Sequence, residues 1–169
     1  MLEELTLRKA VEFAVMTEQL GNKFYNKMAK KFADDAEISE IFTMLAKDEL
    51  IHEKQFQNLL NKVPKDEGVS SQDDRWAHLK IMSMSEFFMG QSGIFKKLEE
   101  IETKEDALQR AYGLEKDTLG YYRAMEDVLG KDETLTSIIE AEKKHLAKVL
   151  EYMITGAKMR GLADAGPTA

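Results

Sequence analysis

Six residues have the types and spacing to do metal chemistry together: Glu18, Glu49, His52, Glu115, Glu142 and His145. Four of them form two Glu-x-x-His pairs, Glu49-Leu-Ile-His52 and Glu142-Lys-Lys-His145. On a helix, residues three apart share one face, so each pair presents a carboxylate oxygen and an imidazole nitrogen to the same point. Mixed imidazole and carboxylate donors suit iron, manganese or zinc and do not demand a soft metal. All four glutamates fall on otherwise apolar stripes, and glutamate is almost never fully buried without a partner. Four carboxylates in one core repel one another, and without cations some must take up protons. Two divalent ions balance four carboxylates in charge, and two neutral imidazoles leave that balance untouched.

Four long helices must position these residues. The first is predicted over about 4–33, with Phe13, Ala14, Thr17, Glu18, Gly21, Tyr25, Met28 and Phe32 spaced three and four apart on one stripe. Asp34-Asp35 offers an N-cap for the second, over about 36–62, whose stripe includes Leu45, Glu49, His52 and Phe56. The very short join makes these two antiparallel neighbours. The third starts at the capping-box-like Thr103-Lys-Glu-Asp106 and runs to about Leu129, before Gly130. Its stripe holds Ala111, Glu115, Thr118 and Tyr122. Asp132 caps the fourth, over about 133–155, whose stripe holds Ile138, Glu142, His145 and Val149 and which Gly156 is expected to end. The halves repeat one design. Ala14 and Glu18 followed by Phe24-Tyr25 match Ala111 and Glu115 followed by Tyr121-Tyr122, and each such helix precedes one with a Glu-x-x-His.

The expected class is therefore all-α: a four-helix bundle of two antiparallel hairpins joined by a long crossover with short helical segments. Residues 1–156 form the bundle domain, with the crossover at about 63–102, and 157–169 a Gly- and Ala-rich tail, disordered or packed on a partner subunit. With no cysteine, disulfides, thiolate zinc sites and iron–sulfur clusters are excluded for this chain. The net charge is -7 and no basic block stands out, which argues against nucleic-acid binding. No apolar run approaches a membrane span and the acidic start lacks the pattern of a signal peptide, so a cytoplasmic location is expected.

At these residues the sequence resembles the ferritin-like superfamily, and within it the rubrerythrin-like branch, over about 6–60 and 104–155. One glutamate from each of two helices and a Glu-x-x-His from each of the other two is that superfamily's di-metal arrangement. The resemblance implies two iron ions, with manganese or zinc as alternatives. It implies that Glu49 and Glu142 bridge them, that Glu18 and His52 hold one ion, and that Glu115 and His145 hold the other. It also implies a homodimer and an oxidoreductase that reduces peroxide or dioxygen. Rubrerythrins draw electrons through a cysteine-bound iron that this chain cannot build, so an external electron-donor protein or small reductant is expected. Rubrerythrins also usually carry an extra glutamate one turn after the third-helix ligand, where this chain has Thr118. The alternative reading is iron binding, ferroxidase activity or storage without sustained turnover.

Several other residues bear on the site. Gly21 and Thr118 lie one turn after Glu18 and Glu115, and their small size is expected to leave room for dioxygen or peroxide. Tyr25 and Tyr122 lie seven residues after the same glutamates, placed either to hydrogen-bond a ligand carboxylate or relay a proton, or simply to pack. Asp48, Glu53 and Glu140 are expected to face outward, though Asp48 or Glu53 could orient a histidine. His78, beside Trp76, reads as a surface or packed histidine. The apolar cluster Met82, Met84, Phe87, Phe88 and Met89 reads as part of a dimer interface or as internal core.

Overall fold

A computed structural model describes residues 5–65, 73–83 and 100–164, with side chains described to residue 156. Among the described residues five helices follow in order: α1 Leu7–Lys31, α2 Ala36–Lys62, α3 Asp74–Ser83, α4 Lys104–Leu129 and α5 Glu133–Asp164. No strand occurs among the described residues, so the protein is all-α, a helical bundle. In it α1 packs along α2, α4 along α5, and the two hairpins meet through α1–α4 and α2–α5 contacts.

Local chemistry fixes the helix ends. Thr6 accepts from the Lys9 amide at the start of α1, Asp35 from Ile38 at the start of α2, and Thr103 from Asp106 at the start of α4. Asp132 accepts from the amides of Thr134 and Leu135 at the start of α5. Each such cap satisfies an amide with no intrahelical partner and is worth about 1 kcal/mol. After α4, Gly130 takes φ 82°, a left-handed conformation that glycine adopts without steric cost.

The end of the fourth long helix differs from the sequence expectation. The fourth long helix does not stop at Gly156 but continues to Asp164. Gly156 lacks the positive φ of a helix-ending glycine, and an interior glycine costs a helix only about 1 kcal/mol, which the following Ala157, Lys158, Met159 and Arg160 offset as strong helix formers. Helix is therefore present over much of the 157–169 tail. Of the crossover, α3 is described; it lies along α4, with the Met82 methyl beside Gly120. Met82 is thus internal packing, while Met84, Phe87, Phe88 and Met89 lie outside the described residues. His78 is exposed and Trp76 packs against the core.

The core divides into two apolar clusters. One is built around Phe24, Tyr25, Met28, Phe42, Leu45, Leu108 and Val149. The other is built around Val11, Phe56, Leu59, Tyr121, Tyr122, Met125 and Ile138. Rings pack closely within each: Tyr25 stacks on Phe42 with centroids 6.0 Å apart, and Phe56 lies 4.7 Å from Tyr122. Between the clusters in sequence register, on all four long helices, sit the buried glutamates and histidines.

Candidate metal centre

All six sequence-predicted residues are buried and converge. Glu18 and Glu115 are 1% exposed, Glu142 0%, and Glu49, His52 and His145 4%. Periodicity accounts for this: each lies one or two turns from fully buried residues of the same stripe, such as Ala14 and Tyr25 on α1 or Ala111 and Tyr122 on α4. Ligand atoms of Glu18, Glu49, His52 and Glu142 lie within 4.8 Å of one another, and so do those of Glu49, Glu115, Glu142 and His145. Glu49 and Glu142 belong to both groups, so two cation-sized positions share two carboxylates.

Each histidine turns Nδ1 toward this cluster. His52 Nδ1 lies 2.8 Å from a Glu142 oxygen and 3.6 Å from Glu18. His145 Nδ1 lies 3.6 to 3.8 Å from Glu115, Glu142 and Glu49. The rings face each other with centroids 5.4 Å apart. Yet Glu18 Oε2, Glu115 Oε2, both Glu142 oxygens and both histidine Nδ1 atoms are buried without a properly directed hydrogen bond. Even the short His52–Glu142 approach is a contact of charge and proximity. Stranding a buried polar atom costs about 1–3 kcal/mol, more if it is charged. Six stranded donor atoms of the right chemistry in one spot fit a pair of cations and little else.

The electrostatics record the same crowding. Burial and the neighbouring carboxylates Glu18 and Glu142 push Glu49 well above the ordinary carboxylate range. Burial and Glu142 push Glu115 up to about 8. Burial would also raise Glu142, but His145 and His52 outweigh it and hold that carboxyl below its ordinary range. Burial disfavours charge on the histidines, yet Glu142 and Glu18 raise His52 to about 10, and Asp48, Glu115 and Glu142 raise His145 to about 12. Without cations, protons hold the cluster together.

Two tyrosines brace it from across the bundle. Tyr25 on α1 donates to Glu115 on α4, and Tyr122 on α4 donates to Glu18 on α1. Burial first, then the carboxylates, pushes both phenols well above 10.0, so they remain donors. Of the two readings the sequence left open for these tyrosines, hydrogen bonding to the glutamates is the one seen, alongside packing. Asp48, half-buried on α2, reaches His145 Nε2 at 3.1 Å, and that contact holds the Asp48 carboxyl below its usual range. Glu53 instead accepts from Gln19 and Gln57, and exposed Glu140 pairs with Lys143.

The space at Gly21 is not free for an oxidant, as the sequence had suggested. A β-carbon there would lie 3.3 Å from both Cγ and Cδ of Glu49, so the missing side chain makes room for that carboxylate. Thr118 is buried, and its hydroxyl has no hydrogen-bond partner. That is unlike Thr17, which bonds back to the Phe13 carbonyl. The sequence offered Asp48 as able to orient a histidine, but that the histidine is His145, on the other hairpin, is decided by the packing of α2 against α5.

No curated protein and no solved structure matches the chain significantly. The rubrerythrin family model matches residues 9–153, a span that takes in every glutamate and histidine of the buried cluster. A repeated helical hairpin, a core glutamate on each long helix and a Glu-x-x-His on the second of each pair coincide with that match, and the chain belongs to the rubrerythrin family.

Proposed function

We propose that the cluster holds two iron ions and that the protein is an oxidoreductase, reducing peroxide or dioxygen with electrons from an external donor. The observation that carries this reading is the pair of overlapping four-residue groups, joined through Glu49 and Glu142 and lined with stranded donor atoms. Glu18 and His52 would complete one position, Glu115 and His145 the other. Bound in this way, a pair of iron ions supplies two electrons to a bound oxidant and polarises its O–O bond.

The chain's own residues do the rest. The carboxylates offset the charge of the ions and tolerate its change on oxidation. Tyr25 and Tyr122 keep Glu115 and Glu18 aimed inward by donating to one oxygen of each, leaving the other oxygen free for the centre. The apolar clusters on either side exclude bulk water, which strengthens every charge interaction within. The chain has no cysteine, so its reducing electrons come from another protein or a small reductant. No helix among the described residues is long and apolar enough to cross a membrane, in keeping with a cytoplasmic protein. Family membership favours a homodimer.

One observation favours a second reading, ferroxidase or iron-handling activity without sustained turnover. Where other rubrerythrins usually carry an extra glutamate, Thr118 offers a hydroxyl, and the metal-binding groups among the described residues contain no further carboxylate. Anaerobic loading with Fe(II), followed by peroxide or dioxygen with a reductant in excess, separates the two. Continued oxidant consumption supports the oxidoreductase. A single round ending in Fe(III) supports iron handling. Failure to bind two irons per chain overturns both.

A further inference from the structure

The two halves of the cluster are built to one plan but differ in one outer contact. Asp48 immediately precedes Glu49 on α2 and reaches across to His145 Nε2 on α5 at 3.1 Å. The residue that immediately precedes Glu142 on α5 is Ala141. Ala141 lines a cleft of about 470 Å³ together with His52, Asp48, His145, Met44 and Lys144. His52 and Ala141 are thus related to each other as His145 and Asp48 are, but Ala141 has nothing to offer the ring. His52 Nε2 has no hydrogen-bond partner among the described residues.

We propose that Asp48 makes the two metal positions unequal: the ion held by His145 and Glu115 binds tightly, and the ion held by His52 and Glu18 is the weaker, exchangeable one. This rests on the di-metal reading above. A carboxylate on the far nitrogen fixes the ring's tautomer, so that Nδ1 carries the lone pair toward the cluster. It also fixes the ring's orientation and raises its basicity as a ligand. His145 has all three benefits. His52, which also lines the cleft, has its Nδ1 contacts to Glu142 and Glu18 but no carboxylate on its far nitrogen to fix tautomer and orientation. Asp48 is a positioning residue: it touches the ligand and not the ion.

The test is a titration of the metal-free full chain with Co(II), a spectroscopic stand-in for Fe(II), in the wild type, Asp48→Ala and Ala141→Asp. Mutual repulsion separates the binding of any two neighbouring dications, so two steps in the wild type are not enough by themselves. Asp48→Ala is expected to weaken the tighter step about ten- to hundredfold, toward the weaker one, the usual cost of losing an outer partner. Ala141→Asp places a carboxylate beside His52 and is expected to tighten the weaker step by a comparable factor. Because it adds a contact, this arm stands even where Asp48→Ala impairs folding. Proton spectra of the Co(II) protein give a second readout. One shifted imidazole N–H, slow to exchange, is expected in the wild type, none in Asp48→Ala, two in Ala141→Asp, and one again in Asp48→Asn, which keeps an acceptor. Two equivalents bound with affinities indifferent to both Asp48→Ala and Ala141→Asp overturn the inference while leaving the di-metal reading intact; no bound metal in the wild type overturns both.

Discussion

Tyr122, on α4, donates a hydrogen bond to Glu18, on α1, and so ties a glutamate of one hairpin to an aromatic ring of the other. Tyr25 and Glu115 make the same tie in the opposite direction. Among the described residues, each phenol is the hydrogen-bond donor to its glutamate's Oε1. Tyr122→Phe keeps the ring packed on Phe56 and removes only the hydroxyl, leaving a buried carboxylate oxygen without its donor. It should lower the stability of the metal-loaded protein by about 1–3 kcal/mol in urea unfolding. A loss below a few tenths would mean that the ions alone hold Glu18.

Acidity should separate the metal-free from the loaded protein. Glu115, raised to about 8, and His52 and His145, raised to about 10 and about 12, bind protons more tightly folded than unfolded. Groups of this kind stabilise the fold below their unfolded pKa, and the contribution is lost as pH rises through the folded one. The melting temperature of the metal-free protein should therefore fall steadily from about pH 5 to pH 9. Glu142, shifted the other way, acts at more acid pH and leaves this window alone. Ions displace the protons, so the loaded protein should show a much flatter profile, and metal affinity should climb over the same range. Parallel pH profiles for the two forms would contradict this.

Gly21→Ala tests how closely Glu49 is fitted. The new methyl would press on Glu49 Cγ and Cδ at 3.3 Å, while alanine is favoured over glycine inside a helix by about 0.5–1 kcal/mol. In the metal-free protein the Glu49 side chain can yield by the few tenths of an ångström needed, whereas bound ions would hold it in place. The metal-free variant should melt no lower than the wild type, and its affinity for Fe(II) or Co(II) should drop by about an order of magnitude, comparable to other disturbances of a ligand's surroundings. Gly21→Leu should go further and reduce the number of ions bound, as equilibrium dialysis would show.

Glu49→Gln and Glu142→Gln remove the two carboxylates common to both groups. Each should cost more metal affinity than the roughly 10–100-fold expected for an outer partner, with a loss of stoichiometry measurable by elemental analysis. The metal-free Glu49→Gln protein should be at least as stable as the wild type near neutral pH, since that carboxyl is driven far above its ordinary range by burial and by Glu18. Unchanged metal content in these variants would remove the basis of the proposed function.

Most of this architecture is legible in the sequence because it follows from periodicity. Glu18, Glu49, Glu115 and Glu142 occupy positions where steps of three and four demand apolar side chains, and a residue that breaks the hydrophobic rule at the same height in four helices has a shared reason to do so. The caps at Asp35, Thr103 and Asp132 and the turn at Gly130 are equally local and appear where expected. What escapes is decided between helices. The space at Gly21 is defined by Glu49 on the neighbouring helix, and Asp48 acquires its role from a ring on α5. Gly156 escapes for a different reason: a glycine can end a helix or be carried through one, and the helix-forming run that follows tips the balance.

Phe42 stacked on Tyr25 and Phe56 set against Tyr122 act as stoppers along the bundle axis, one toward each end. Passage to the centre is consequently favoured from the side, where the edges of His52 and His145 form part of a cleft wall between α2 and α5. His52 and His145 are each only 4% exposed, so that wall is nearly closed. The aromatic stoppers at the two ends and the imidazoles on the cleft wall thus together narrow the way in before any chemistry begins.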